Sequence, residues 1–253
     1  MEMLLNPEIL IALFTLIILE IVLGIDNLVF ISILASKLPE SEQKRARNIG
    51  LFLEMFMRIG LLFCISWVMQ LTTEIFTLSI FPYDGGTLPN PNEISGRDLI
   101  LIIGGLFLLF KSTKEIHEHV EHQGHKKKSK GGTFLSVISQ IVILDLIFSL
   151  DSVITAVGLV DHIEIMIIAV LISIIFMLIF VGTISDFIEK HPTVKVLALS
   201  FLLLIGMALI GDGLEFHIPK GYIYFAMGFS IFIEIINIKS SKKNKLNFNK
   251  ENE

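Results

Sequence analysis

Two acidic residues separated by five positions interrupt a long apolar run near the start of the chain, and the same arrangement recurs in a second apolar run. Each pair of acids is followed directly by a small polar residue. The two sets begin 125 positions apart and consist of Glu20, Asp26 and Asn27, and of Asp145, Asp151 and Ser152. An ionised side chain costs roughly 2.5 to 3.5 kcal/mol at the centre of a membrane helix, so acids placed there indicate a function or a charged partner. We predict that these six residues bind a metal ion.

Helical geometry limits how one motif can supply both of its acids to one site. In a straight helix, the first acid faces the same way as the polar residue seven positions later. The second acid points elsewhere, because six residues correspond to about 240° of rotation. Both acids of a motif can therefore join one site only if the helix unwinds locally, for which Gly24 and Ser149 are well placed, or if the site wraps around the helix.

The composition is that of an integral membrane protein. Of 253 residues, 53% are hydrophobic and 18% are charged, and the mean hydropathy is +0.75. In soluble domains charged residues alone make up about a quarter. The first apolar run is too long and too acidic for a cleaved signal peptide, so we expect the chain to retain it. The single cysteine, Cys64, allows no intrachain disulfide.

Seven apolar runs are long enough to cross a hydrocarbon layer of roughly 30 Å. They cover about residues 9–35, 48–70, 98–115, 133–160, 164–186, 193–211 and 219–238. Lys and Arg favour the cytoplasmic side, and here they concentrate after spans one, three, five and seven. We therefore predict an all-α membrane protein with its N-terminus outside and its C-terminus inside.

This topology makes the two acid-bearing spans antiparallel, so the motifs are inverted between two three-helix repeats, to which a seventh helix is added. The tail rich in Lys and Asn is predicted to be solvated and disordered. The predicted units are a first repeat (1–117), a cytoplasmic His/Lys-rich linker (118–132), a second repeat (133–217), a seventh helix (218–238) and a cytoplasmic tail (239–253).

Inversion also predicts which acids lie at the same depth. It pairs Glu20 with Asp151 and Asp26 with Asp145, and it places all four within roughly 9 Å of membrane thickness. Four carboxylates this close cannot all stay charged without a counter-ion. Protons or a divalent cation are the candidates, and ligands that are all oxygen suit Mn²⁺, Mg²⁺ or Ca²⁺ better than a soft metal.

Other polar and small residues within the spans have mainly structural interpretations. Glu54 and Arg58 are four apart in span two and predict an intramembrane ion pair, which could also balance the acids when no metal is bound. Lys111 ends span three and is expected to reach the cytoplasmic interface. The pair Gly104-Gly105 indicates close helix packing.

The linker and the residue just before it contain several potential metal ligands, namely His117, His119, His122 and His125. A run of lysines from Lys126 to Lys128 adjoins them. A solvated linker is the preferred interpretation, and the alternative is a weak cytoplasmic patch that loads or senses metal.

At three stretches the chain resembles the TerC family of bacterial membrane proteins, within the LysE-type transporter superfamily. These stretches are 19–27, 148–153 and 219–227, and the similarity extends over roughly residues 8 to 238. It is greatest to the short, YgdQ-like members. The resemblance implies an inner-membrane protein associated with tellurium resistance, Mn²⁺ efflux and metal homeostasis, in which Glu20, Asp26, Asn27, Asp145 and Asp151 are the suspected cation ligands.

Three functions follow as hypotheses. The first is a secondary transporter that exports a divalent cation, with Mn²⁺ favoured, in exchange for protons across the bilayer. The second is an accessory protein that delivers metal to exported proteins without bulk flux. The third, an intramembrane aspartyl protease using Asp26 and Asp151, is disfavoured because the Gly-x-Gly-Asp signature is absent. Nucleotide-binding motifs are also missing, so we expect no enzyme, no ATP-driven pump, no tightly bound cofactor and no nucleic-acid partner.

Overall fold

The computed structural model describes residues 7–77, 93–121, 132–158, 160, 162–216 and 218–250, with side chains described up to residue 240. Long helices account for most of this part of the chain. The helices are α1 (Pro7–Ala35), α2 (Glu40–Phe63), α3 (Ile65–Gln70), α4 (Gly96–Glu121), α5 (Phe134–Val157), α6 (Ile163–Lys190), α7 (Pro192–Gly213) and α8 (Lys220–Lys250). Two short antiparallel strands, β1 (Glu74–Thr77) and β2 (Glu93–Ser95), precede α4.

Five of these helices are long and apolar enough to cross a membrane: α1, α5, α6, α7 and residues 220–240 of α8. This confirms an all-α membrane protein, with the β1-β2 ribbon as a small addition. Helices α2 and α4 correspond to predicted spans two and three and are 24 and 26 residues long. They carry more charge than the other predicted spans, and part of it is buried: Glu54 and Arg58 in α2, and Asp98 and Glu115 in α4. Seven spans, the inverted repeat and the orientation remain predictions.

Three helix boundaries differ from the predicted ones. Span two is divided, because α2 ends at Phe63 and the short α3 begins at Ile65. Helix α4 continues to Glu121, so the start of the predicted linker is helical, while His122 and His125 lie outside the described residues. The expectation of a disordered tail after Lys239 is wrong, since α8 continues to Lys250. The helical turns simply extend beyond the apolar run that defines the predicted span.

Small residues allow the helices to pack closely in pairs. Helix α4 packs on α7 where Gly105 meets Gly206, and a Cβ at Gly105 would lie 2.5 Å from the Gly206 carbonyl oxygen. Helix α1 packs on α6, where Gly24 accommodates the side chain of Met177. Helix α2 packs on α5, and α1 also touches α5. The close packing predicted for Gly104-Gly105 is confirmed.

Candidate cation-binding site

The residues of the two acid motifs are withdrawn from the surface. Five of the six are buried, and Asp26 is half-buried. The exposed fractions of the buried five are Glu20 3%, Asn27 5%, Asp145 5%, Asp151 7% and Ser152 3%. Charged groups are rarely buried this deeply unless they are paired or bind an ion, so each one calls for a partner.

Both motif-bearing helices run without a break. Helix α1 is continuous through Gly24, and α5 is continuous through Ser149. Because neither helix unwinds, the two acids of a motif face different neighbours, as six residues of rotation require. Each helix therefore sends one acid into each of two adjoining groups of charged residues.

The first group surrounds Arg58 of α2, and we call it the Arg58 cluster: Glu20, Asn27, Glu54, Arg58 and Asp145. Arg58 donates to Glu20 of α1 and, at 2.8 Å, to Oε1 of Glu54. The Asn27 amide donates to the same Glu54 oxygen at 3.1 Å. Asp145 of α5 interacts electrostatically with Arg58. The predicted Glu54–Arg58 ion pair is confirmed, and it is extended by acids from two other helices.

Negative charge exceeds positive charge in this cluster. Arg58 is its one described cation, whereas Glu20, Glu54 and Asp145 are three carboxylates. Two carboxylate oxygens, Oε2 of Glu54 and Oδ2 of Asp145, are buried without a hydrogen-bond partner among the described residues. Buried, bare oxygens of this kind favour a proton or a cation as the missing partner.

The second group lines a cavity of about 60 Å³, which we call the Asp151 pocket. This volume has room for about four waters. Asp26 of α1, Asp151 and Ser152 of α5 and Asp212 of α7 line it, together with Lys220 and Tyr224 of α8. Arg58 also lines the pocket, so the pocket and the Arg58 cluster adjoin.

Two cations at helix starts reach Asp151. Arg97 Nη2, in the first turn of α4, donates to Oδ1 at 3.2 Å, and Lys220, the first residue of α8, donates to Oδ2. A capping box fixes the start of α4: the Asp98 carboxylate accepts from the Ser95 backbone N–H at 2.9 Å, and the Ser95 hydroxyl accepts from the Asp98 N–H at 3.2 Å. Arg97 is held further by its backbone N–H, which donates to the Leu71 carbonyl at 2.9 Å.

This grouping differs from the one that membrane depth predicts. The pocket combines Asp26 with Asp151, while Glu20 and Asp145 both interact with Arg58. Depth alone ignores the direction in which each side chain leaves its helix. Within the described ranges, no three His, Cys, Asp or Glu side chains converge closely enough to hold a metal ion. In this conformation the cations that contact these acids are Arg58, Arg97 and Lys220.

The end of the bundle that the sequence predicts to be cytoplasmic has its own ion pairs. Lys111 reaches Glu115 at 3.3 Å, and Lys37 of α1 pairs with the same carboxylate. His117 lies 3.2 Å from Glu121, and both side chains are well exposed. Burial, reinforced by the nearby Lys195, lowers the pKa of His119, which favours its neutral form at pH 7. The two described linker histidines therefore lie in separate surroundings.

A multi-helix bundle with apolar spans and buried acids at its centre defines an integral membrane protein with an internal polar site. The chain belongs to the family described as "Integral membrane protein TerC family", whose model matches residues 5–247. The resemblance seen in the three sequence stretches is thereby confirmed.

Relatives support the same assignment. The chain is 50% identical over 241 residues to the inner membrane protein YgdQ of Escherichia coli (strain K12), covering 95% of this chain and 97% of that protein. It is 50% identical to a UPF0053 protein of Haemophilus influenzae, covering 94% and 97%. It is 52% identical to the inner membrane protein YoaE of Escherichia coli (strain K12), covering 94% of this chain but only 44% of that longer protein. No solved structure matches the chain.

Proposed function

We propose that this protein is a secondary transporter that exports a divalent cation, Mn²⁺ first among the candidates, in exchange for protons. The observation that carries the proposal is the surplus of carboxylates over cations in the Arg58 cluster, directly beside a cavity lined by two more motif acids. A divalent cation supplies the missing positive charge, and carboxylate, amide and hydroxyl oxygens suit a hard ion.

The packing of the helices supports two inverted repeats. Spans one to three correspond to α1, α2 and α4, and spans four to six to α5, α6 and α7. Exchanging the two sets turns the α1–α6 contact into the α5–α2 contact and leaves the α4–α7 contact unchanged. All three contacts are among the most extensive in the described bundle. An inverted pair of repeats around a site near the midplane is the architecture that supports alternating access.

The Asp151 pocket and the Arg58 cluster suit different steps of transport. The Asp151 pocket is partly open and contains the half-buried Asp26, so it suits ion entry or exit. The Arg58 cluster is enclosed, and its bare oxygens are available to a proton or to the ion. Because one cluster of acids binds both, metal entry must displace protons, and the released protons belong to the cluster as a whole.

The direct test is flux through purified protein in lipid vesicles. Mn²⁺, Mg²⁺, Ca²⁺ and Zn²⁺ are supplied in turn while the internal pH is followed. We expect saturable Mn²⁺ movement with protons moving the opposite way, and we expect Asp26→Asn to abolish both movements. Asp186→Asn should retain both, because the exposed carboxylate of Asp186 lies on α6, which carries none of the motif acids.

The result that would overturn the proposal is saturable binding of metal without flux. Measuring total manganese in cells that lack the protein distinguishes an exporter from a protein that only delivers metal. Loss of an exporter raises total cell manganese, whereas loss of a protein that only delivers metal leaves it near normal and starves secreted metalloproteins.

A further inference from the structure

Asp26 and Asp151 face one pocket but have very different partners. Both carboxylate oxygens of Asp151 accept from a cation, one from Arg97 and one from Lys220. Within the described part of the chain Asp26 has no hydrogen bond or ion pair, and it interacts electrostatically with Tyr224 of α8. The negative charge of Asp151 is thus already matched by two cations of the protein, and an incoming cation competes with them for the same two oxygens.

Arg97 is more rigidly positioned than Lys220. Arg97 is fixed by the capping box of α4 and by its backbone bond to Leu71, and its side chain is 17% exposed. The Lys220 side chain is 38% exposed and reaches Asp151 from the first residue of α8. A lysine ammonium is a compact, strongly hydrated charge on a flexible stem, so it returns to water more readily than a guanidinium that is fixed in place.

Because α8 lies at the edge of the bundle, the contact of Lys220 with Asp151 also helps to attach the start of that helix. Helix α8 packs on the rest of the bundle chiefly through α7, and large side chains along its length, such as Phe225, Phe229 and Phe232, point away from the core. The ion pair from Lys220 to Asp151 therefore links the start of a peripheral helix to α5. The first turn of α8 is also held by Ile223, which is buried in the core, so breaking the ion pair removes one of these two attachments.

We infer that Lys220 is a tethered cation that competes with the transported ion for Asp151, so that loading of the pocket releases the first turn of α8. This inference rests on the proposed function. A divalent cation within reach of Asp151 repels the ammonium and takes its oxygen ligand, and both effects favour departure of Lys220. Lys220 does not bind the ion itself and acts only through its ion pair with Asp151.

The first test measures Mn²⁺ binding to the purified full chain by equilibrium dialysis. Removing a competitor tightens binding, so we expect Lys220→Met to lower the Kd for Mn²⁺ at least fivefold. A merely structural role would weaken binding. Lys220→Arg keeps the charge and should stay near the wild-type Kd. Lys239→Met is the matched control, because Lys239 is an exposed lysine at the opposite end of the same apolar stretch.

Two further measurements locate the effect. In the Asp151→Asn background, Lys220→Met should change the Kd less than twofold, because the group that both cations compete for is gone. Amide hydrogen exchange in the peptide that covers residues 220–226 should speed up when Mn²⁺ is added to the wild-type chain. In Lys220→Met, the same peptide should exchange rapidly with or without Mn²⁺.

The outcomes separate this inference from the proposed function. Saturable Mn²⁺ binding with an unchanged or weaker Kd in Lys220→Met, or slower exchange at 220–226 on loading, overturns the role of Lys220 alone. The absence of saturable binding in both wild type and Lys220→Met overturns the proposed function and this inference with it.

Discussion

The Arg58 cluster and the Asp151 pocket draw on the same two helices, yet they balance charge in different ways. In the cluster, one arginine faces three carboxylates and every member is at most 5% exposed. In the pocket, Asp151 alone receives two cations, both from helix starts near the surface. The comparison teaches that the enclosed cluster keeps a surplus of negative charge, whereas the charge of Asp151 in the more open pocket is matched by one fixed and one more exposed cation.

The largest expected effect comes from removing the central cation. Arg58→Met leaves three buried carboxylates without a counter-charge, and we expect a loss of about 3–5 kcal/mol in stability. Thermal unfolding of detergent-purified protein measures it. Arg58→Lys should fall in between, because an ammonium cannot reproduce the guanidinium fork between Glu20 and Glu54.

A paired substitution sharpens this prediction. Adding Glu20→Gln and Glu54→Gln to Arg58→Met removes two of the three charges and should recover part of the lost stability. If Arg58→Met is as stable as the wild type, the cluster does not hold a surplus of negative charge.

The next effect concerns the pocket acids. We expect Asp26→Asn and Asp151→Asn each to lower Mn²⁺ export at least tenfold while the protein stays in the membrane, because an amide keeps the shape but removes the charge that balances a dication. Total cell manganese and growth in excess Mn²⁺ are the measurements. Normal export by both variants would assign the two carboxylates a structural role.

A smaller, graded effect is expected from pH. Protons and Mn²⁺ compete for the same carboxylate oxygens, so the apparent affinity for Mn²⁺ should weaken as the pH falls from about 8 to 6. Each displaced proton contributes up to about tenfold per pH unit. Initial rates of Mn²⁺ flux in vesicles at matched ionic strength measure this dependence. An affinity that stays flat over this range, without counter-movement of protons, would favour a channel.

The smallest effect is expected away from both groups. Replacing His117, His119, His122 and His125 by Gln should leave maximal transport unchanged and at most raise the Mn²⁺ level that transport requires. The described histidines lie on α4 beyond the predicted span, and their contacts do not reach the Arg58 cluster or the Asp151 pocket. Complete loss of transport at normal expression would instead favour the metal-loading interpretation of the linker.

Much of the architecture could be predicted from local patterns. Apolar runs located the long helices, and the spacing of Glu54 and Arg58 by four residues identified their ion pair. The two adjacent glycines at 104 and 105 indicated the close α4–α7 contact. Each of these signals depends on residues that are neighbours along one helix, where geometry is fixed by the helical repeat.

The charge partners that join different helices could not be predicted in the same way. Lys220 and Arg97 begin helices and look like ordinary interface anchors, although both reach Asp151. The pairing of acids by depth failed to anticipate the shared pocket of Asp26 and Asp151, because depth says nothing about rotation around a helix axis. The contact of Glu20 with Arg58 depends on that same rotation.

The charge imbalance around Arg58 also has a consequence for biosynthesis. Helix α2 carries Glu54 and Arg58 inside it, so we expect it to enter the bilayer as a hairpin with α1, where Glu20 meets Arg58 and Asn27 meets Glu54. Asp145 is synthesised about 90 residues after Arg58, which is roughly 5 to 20 s later on a ribosome. Around Arg58, the nascent first half thus has one carboxylate in excess at insertion, and the second excess carboxylate is added only when α5 docks against a hairpin that is already in place.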